Sequence, residues 1–191
     1  MIVSFIGCPA SGKTTTAAML FAELKKLGIS AEFICEEARI HIASIRYEQG
    51  LSPSDPVHLT DRDQQEIMEA QWQSEEVLST VCGPSVVVVS DSSALNSLLY
   101  MSPARRDSQE VQDLLEVYRC DLVFYTPPLA TVTHGLDPNR VHSQSESLRI
   151  DSLIPEILAK YVPGLIPIRL EGDPGERLQK ALLIILKRIE E

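Results

Sequence analysis

The chain has 191 residues, of which 44% are hydrophobic and 23% are charged, a composition and length typical of one globular domain and too short for two. Its formal net charge of −10 disfavours binding to nucleic-acid backbones, which depends on Lys and Arg side chains, and favours a small-molecule partner. The four cysteines form no CxxC pair, which excludes the usual zinc-ligand spacing and a disulfide framework.

Short apolar runs alternate with helical patterns along the chain. The predicted strands are residues 2–6, 31–35, 86–89, 122–125 and 166–170. The predicted helices are residues 17–27, 38–50, 60–81, 111–118, 150–158 and 173–189. This alternation predicts an α/β fold with a parallel five-stranded sheet and helices on both faces, in a single domain over residues 1–191. The strand order does not follow from the pattern.

Local signals at helix ends refine this assignment. Thr60 is a predicted N-cap of the third helix, with Asp63 at the position that completes a capping box. Asp173 and Glu176 form the same pattern at the start of the last helix. Pro155 lacks a backbone N–H and is therefore expected to kink or divide the helix that contains it.

Residues 7–14 read Gly-Cys-Pro-Ala-Ser-Gly-Lys-Thr and match the phosphate-binding pattern G-x-x-x-x-G-K-[ST]. A predicted strand ends directly before this loop and a helix begins directly after it, as nucleotide binding requires. Lys13 is expected to contact the β- and γ-phosphates of ATP, and the Thr14 hydroxyl to bind Mg²⁺. The predicted nucleotide-binding residues of this region are Gly7, Pro9, Ala10, Ser11, Gly12, Lys13, Thr14 and Thr15.

Two carboxylate positions follow predicted strands, at the sheet edge where open α/β folds bind ligands. Asp91 follows the β-branched run 86–89 and is interpreted as a Walker B aspartate that binds Mg²⁺; the alternative is a cap for a helix over residues 92–100. Glu36 and Glu37 follow the second strand, and either is a candidate base for the acceptor hydroxyl or a ligand of a ribose; the alternative is a solvated pair that opens a helix.

The polar segment after the fourth strand is the predicted lid, about residues 127–149. Arg140 and Arg149 lie in it or just after it and are candidates for stabilising charge on the transferring phosphoryl group. Arg105 and Arg106 are rival candidates, with a solvated surface pair as the alternative. Arg177 is a candidate for stacking on adenine, with a surface position as its alternative.

With these residues assembled, the chain resembles the P-loop ATPase/kinase family that includes the ribosylnicotinamide kinase domain of bacterial NAD regulators. The resemblance rests on the phosphate-binding loop, on Glu36-Glu37-Ala38-Arg39 as an E-x-A-R element, on the region 86–91, and on the segment 172–177. It implies a nucleoside- or nucleotide-kinase-like fold with a lid, ATP and Mg²⁺ as cofactors, and Glu36 rather than Glu37 at the acidic position. P-loop kinases of bacterial viruses that act on hydroxymethylated pyrimidines in DNA are also similar.

These features predict an ATP- and Mg²⁺-dependent kinase that phosphorylates a hydroxyl of a nucleoside-like small molecule. Two alternatives remain open: a kinase of a hydroxymethylated pyrimidine base in DNA, and a regulatory ATPase without an acceptor. The sequence contains no N-K-x-D guanine-binding motif and no L-S-G-G-Q transporter signature. We find no signal-peptide pattern and no apolar run of about 18 residues, and therefore expect a cytoplasmic protein with no membrane contact. The sequence leaves the oligomeric state open.

Overall fold

The computed structural model describes residues 1–129 and 143–190. Its strands are Ile2–Ile6 (β1), Ala31–Ile34 (β2), Val87–Ser90 (β3), Leu122–Tyr125 (β4) and Ile168–Arg169 (β5). They form a five-stranded sheet in the order β2-β3-β1-β4-β5, and every neighbouring pair is parallel. The predicted parallel five-stranded sheet is confirmed, and the structure supplies the strand order.

Helices follow the strands as the sequence predicts. The α-helices are Lys13–Lys26 (α1), Glu37–Gln49 (α2), Asp61–Cys82 (α3), Pro103–Arg106 (α4), Gln109–Val117 (α5), Gln144–Tyr161 (α6) and Pro174–Glu190 (α7), and a 3₁₀ helix spans Ala94–Leu99. Within the described part of the chain, none of these helices combines the length and apolar character needed to cross a membrane.

Hydrophobic residues are buried on both faces of the sheet. On one face, Phe5 packs with Leu20 of α1 and Ile185 of α7. On the other face, Ile6 packs with Leu98 of the 3₁₀ helix and Ile154 of α6. A strand covered on both faces needs a nearly continuous apolar sequence, which explains the run of valines at residues 86–89, most of which lies in β3.

The predicted helix caps are confirmed. The Thr60 hydroxyl accepts from the Asp63 backbone N–H at 3.2 Å, and the Asp63 carboxylate accepts from the Thr60 N–H at 2.6 Å. Asp173 and Glu176 exchange the equivalent bonds at 2.9 and 3.0 Å before α7. These reciprocal bonds satisfy N–H groups that have no partner inside the helix.

The helix around Pro155 begins earlier than predicted and is not divided, and the predicted kink stays a prediction. Helix α6 begins at Gln144, earlier than predicted, because Ser143 and Glu146 form a capping box there. Pro155 lies inside α6 without dividing it, on an exposed face where water can bind the carbonyl that its ring leaves free. Residues 144–149, assigned to the lid from the sequence, are therefore helical. Residues 130–142 of the predicted lid lie outside the described part of the structure.

Candidate active site

The predicted phosphate-binding loop joins β1 to α1 through a tight turn. Its Ser11 N–H donates to the Cys8 carbonyl at 3.3 Å, and two residues, Ala10 (φ 63°) and Gly12 (φ 89°), have left-handed backbone conformations. Glycine adopts this conformation without a steric cost, which accounts for the second glycine of the motif. Thr14 and Thr15 are exposed at the start of α1, and Pro9 and Ala10 are partly exposed.

The first glycine of the motif is required by close packing. A Cβ atom at Gly7 would lie 2.6 Å from the Thr126 carbonyl oxygen, which real Cβ atoms do not tolerate. The Gly7 N–H donates to Asn96 Oδ1 at 3.2 Å, while Asn96 Nδ2 donates to the Phe5 carbonyl at 3.0 Å and the Ser92 hydroxyl at 2.7 Å. Asn96 thus fixes the start of the loop, and no sequence pattern had marked it.

Lys13 is buried, with 9% of its surface exposed, and its ammonium bonds to carbonyl oxygens of its own loop. It donates to Gly7 at 2.9 Å and to Cys8 at 3.0 Å. An ammonium group needs such partners when it is buried. These carbonyls hold the charge at the loop, next to the helix N-terminus that attracts anions.

Asp91 follows β3 directly and is buried, with 3% of its surface exposed. Burial, together with the negative charge of Glu36, raises the pKa of Asp91 to about 6, although a hydrogen bond with Thr14 opposes this rise. Its Oδ1 atom has no hydrogen-bond partner among residues 1–129 and 143–190. The alternative role as a helix cap is wrong, because Ser93 caps the 3₁₀ helix through a bond from the Leu95 N–H at 3.3 Å.

The surroundings of Asp91 fit a divalent cation. A buried carboxylate oxygen without a partner, beside a threonine hydroxyl, is an arrangement of hard oxygen ligands that Mg²⁺ prefers. A bound cation would also compensate for the cost of burying the charge. Thr14 and Asp91 therefore remain the residues we expect to hold Mg²⁺.

Glu36 and Glu37 lie at the start of α2, where Glu36 is the N-cap residue. The Glu36 carboxylate accepts from Arg39 Nε at 2.9 Å, so the two side chains form an ion pair. The Glu37 carboxylate instead accepts from the Ser74 hydroxyl at 3.2 Å. Both glutamates are half-buried. Of the two glutamates, Glu36 is the one whose charge contributes to the raised pKa of Asp91, which favours Glu36 as the candidate base.

A shallow, partly open cleft adjoins Glu36, and its empty space of about 290 Å³ includes open solvent. Its lining residues are Glu36, Ala38, Gln64, Ile67, Gln71, Ser92, Ser93, Ala94, Asn96, Ser97 and Tyr100. They combine amides, hydroxyls, one aromatic ring and apolar contacts, and Glu36 carries the one charge among them. Since Ser92 follows Asp91 and Asn96 contacts Gly7, the cleft lies beside the phosphate-binding loop.

A buried polar group lies beneath this edge of the sheet. Glu75 of α3 is fully buried, and the Ser90 hydroxyl lies 2.6 Å from its Oε1 atom. Burial raises the pKa of Glu75 to about 8, so the carboxyl is largely protonated at neutral pH. Its position in a long polar helix had given no sign of burial in the sequence.

The predicted arginines occupy different environments. Arg140 lies outside the described residues. Arg149 is exposed in α6, and Arg105 and Arg106 are half-buried near α4, where Arg106 donates to the Leu98 carbonyl at 2.7 Å. The alternative prediction, that Arg105 and Arg106 form a solvated pair on the surface, is therefore wrong for Arg106.

Arg177 has only 2% of its surface exposed, so its predicted surface alternative is wrong. Its guanidinium donates to the Ser11 carbonyl at 2.5 Å and to the Pro127 carbonyl at 2.8 Å. The side chain thus supports the phosphate-binding loop from α7. Its role in stacking on adenine stays a prediction.

Comparisons with known proteins agree with this architecture. Two solved structures share the fold: a NadR protein in complex with NR (TM-score 0.69, 17% identity, covering 100% of this chain and 52% of that one) and a NadR protein in complex with NAD and AMP-PNP (TM-score 0.68, 18% identity, 97% and 48%). The chain thus spans about half the length of each. At these identities the likeness establishes the fold alone, and no curated protein matches the sequence.

The resemblance inferred from the motifs is consistent with these structures, and the fold is that of a P-loop NTPase. A family model described as AAA domain matches residues 2–177, a range that includes the phosphate-binding loop, Glu36, Asp91 and Arg177. Because the match covers far more than half of the chain, the protein belongs to the AAA domain family.

Proposed function

We propose that this protein transfers the γ-phosphoryl group of ATP, with Mg²⁺, to a hydroxyl of a nucleoside-like small molecule. The observation that carries the proposal is the cleft beside the phosphate-binding loop, with Glu36 in its wall. A P-loop protein that only hydrolyses ATP has no need of a second binding cleft at this place. A kinase needs one, because it must hold an acceptor in line with the γ-phosphate.

Glu36 has the chemistry of a general base in this arrangement. Its carboxylate would accept the proton of the acceptor hydroxyl as the hydroxyl oxygen attacks the γ-phosphorus and the bond to ADP breaks. Arg39 pairs with Glu36 at 2.9 Å and would orient it. Lys13 would exchange its loop carbonyls for phosphate oxygens, and Arg140 and Arg149 are candidates for contacting the phosphoryl group from the lid side.

Thr14 and Asp91 would hold Mg²⁺, which offsets the negative charge of the phosphates when bound. The loop residues Gly7, Pro9, Ala10, Ser11, Gly12 and Thr15 would surround the phosphates together with Lys13. We place Arg177 behind this loop as a support for Ser11, with contact to the adenine as its alternative role.

The lining of the cleft favours a small acceptor over a DNA base. The Gln64 amide, the Ser97 hydroxyl and the Tyr100 ring in its lining suit the sugar and base of a nucleoside. Binding a DNA strand requires Lys or Arg side chains near the phosphates, and none is among the described lining residues. The net charge of −10 also disfavours binding to a DNA strand.

Labelled ATP tests the proposal directly. The protein is incubated with γ-labelled ATP, Mg²⁺ and either a nucleoside panel that includes nicotinamide riboside or DNA that contains hydroxymethyluracil. We expect label on a nucleoside. Label retained by DNA would identify a DNA-base kinase instead. ATP hydrolysis that no acceptor alters would identify an ATPase and overturn the proposal.

A further inference from the structure

The side-chain amide of Gln71 in α3 connects the ends of two neighbouring strands. Its Oε1 atom accepts from the Glu37 backbone N–H at 2.9 Å. Its Nε2 atom donates to the Ser90 hydroxyl at 3.0 Å and to the Cys35 carbonyl at 3.4 Å. With 2% of its surface exposed, Gln71 is buried, and both ends of its amide are engaged.

The partners of Gln71 flank the two acidic residues of the candidate active site. Cys35 and Glu37 stand directly before and after Glu36, while Ser90 directly precedes Asp91. The Ser90 hydroxyl also contacts the Ser92 carbonyl at 3.0 Å, on the far side of Asp91. One amide therefore touches the chain around both carboxylates.

The hydrogen bonds of Gln71 lie just past the point where the pairing of β2 with β3 ends. The last paired residues of β2 and β3 are Ile34 and Ser90, and the Asp91 N–H donates to the Ile34 carbonyl at 2.9 Å. Past this point the two segments leave the ladder and carry carboxylates of like charge, which repel each other. A neutral amide that bonds to both segments opposes their separation.

We propose that Gln71 is a positioning residue that sets the separation of Glu36 and Asp91 by bonding to the main chain at Glu37 and to the Ser90 side chain. The inference rests on the proposed function, since it assigns roles to these carboxylates. Glutamine suits the task because its amide both accepts and donates. Glutamate in its ionised form has no donor for Ser90, and methionine has a similar length but neither group.

The test compares Gln71→Met with Gln73→Met, the same change at an exposed position two residues along α3. For Gln71→Met we expect kcat for phosphoryl transfer to fall about 10- to 100-fold, a range found for residues that orient catalytic groups. The KM for ATP should stay within about twofold, because Gln71 makes no hydrogen bond to the phosphate-binding loop. The Mg²⁺ concentration for half-maximal rate should rise. Gln73→Met should match the wild type in all three.

A second variant covers the case in which Gln71→Met does not fold. Ser90→Ala removes the partner of the Gln71 amide, together with the contacts to Glu75 and to the Ser92 carbonyl, at a position outside the cleft lining, and should lower kcat in the same direction. Where both single variants fold, the double variant should lose less than the product of the two single losses, because both act on one connection. If the two losses of kcat multiply fully in the double variant, the residues act independently and the inference is overturned. It is also overturned if both single variants keep the wild-type kcat and Mg²⁺ dependence.

Failure of the proposed function is a separate result. If the wild type phosphorylates no acceptor, the kinase proposal fails, and the positioning role is then measured by nucleotide binding. Gln71→Met should raise the Mg²⁺ concentration needed for full ATP affinity, and should leave the affinity at saturating Mg²⁺ and the affinity without Mg²⁺ unchanged. Equal changes in both affinities would show a general structural effect and overturn the positioning role.

Discussion

The Lys13 ammonium lies 2.9 Å from the carbonyl oxygen of Gly7, the first residue of its own phosphate-binding loop. The carbonyl provides a neutral partner that a phosphate oxygen can replace without unfolding the loop. In the proposed function, phosphate oxygens would replace the two carbonyl partners of Lys13, those of Gly7 and Cys8.

Replacing Lys13 should remove most of the affinity for nucleotide. Lys13→Met keeps the approximate length of the side chain and deletes the charge, so we expect ATP affinity to fall by about 1.5–3 kcal/mol, the scale of charge-assisted hydrogen bonds. Calorimetric titration with a non-hydrolysable ATP analogue measures the loss. Lys26→Met, at an exposed position of the same helix, is the control and should bind normally. Unchanged affinity in Lys13→Met would contradict the assignment.

The two adjacent glutamates can be separated by the same substitution at each. Glu36→Gln should lower the rate of phosphoryl transfer about 10²- to 10⁴-fold, the usual contribution of a general base, and should leave ATP binding nearly intact. Glu37→Gln is the matched control, because its carboxylate bonds to Ser74, whereas the Glu36 carboxylate bonds to Arg39 and raises the pKa of Asp91. The reverse result, with full rate in Glu36→Gln and loss in Glu37→Gln, would transfer the role of the base to Glu37.

Asp91→Asn should abolish the benefit of Mg²⁺ for nucleotide binding. The amide has nearly the same shape but lacks the negative charge that a hard cation requires, so we expect the gain in ATP affinity on adding Mg²⁺ to fall by on the order of tenfold or more. Affinity is measured with Mg²⁺ and with EDTA for the wild type, Asp91→Asn and the exposed control Asp113→Asn. An unaltered Mg²⁺ effect in Asp91→Asn would remove Asp91 from the metal site.

Glu75 should make the protein less stable as the pH rises. The folded state keeps the proton up to a pKa of about 8, whereas the unfolded chain releases it near 4.5, so the folded state binds more protons between these values. The stabilising contribution of the protonated group is complete below 4.5 and is lost as pH rises through about 8. Since the pKa of Asp91 is about 6, its contribution fades across the window from pH 6 to 8, and comparison with a Glu75 variant separates the two groups.

Urea unfolding at pH 6, 7 and 8 measures this effect. We expect the wild type to lose about 1–3 kcal/mol across the window, from roughly 1.4 kcal/mol per pH unit for one proton. Glu75→Gln cannot titrate and should give a flatter profile, while the exposed control Glu76→Gln should follow the wild type. A flat wild-type profile would mean that Glu75 is ionised in the folded protein.

Arg177→Met should weaken both the fold and the nucleotide site. Two buried carbonyls, those of Ser11 and Pro127, would lose their donor, at a cost of about 2–4 kcal/mol. Thermal unfolding with and without an ATP analogue measures both effects. Lys187→Met, exposed on the same helix, should change neither. A loss of nucleotide affinity without any loss of stability would instead support direct contact between Arg177 and the adenine.

The sequence predicted those parts of the site that depend on local pattern. The glycines of the loop, the position of Asp91 after an apolar run and the cap of α3 by Thr60 each follow from neighbouring residues. The start of α6 was missed because the Ser143 and Glu146 capping box lies within a polar segment that lacks apolar periodicity until Ile150.

Contacts between distant segments could not be predicted in this way. Gln71 and Glu75 lie in a helix rich in polar residues, and their burial depends on where α3 packs against Ser90, which a single sequence does not specify. Asn96 gains its role from contact with Gly7, 89 residues away. Strand order decides which side chains meet at the carboxyl edge of the sheet, and the pattern left that order open.

The bond from Arg177 to Ser11 has a consequence for how the protein is made. The ribosome completes the phosphate-binding loop early, but the side chain that supports it lies 166 residues later, in the last helix. A nascent chain that has not yet released α7 lacks this support and the two hydrogen bonds that it provides. The full set of hydrogen bonds at this loop therefore cannot form until α7 has been synthesised, long after the loop itself.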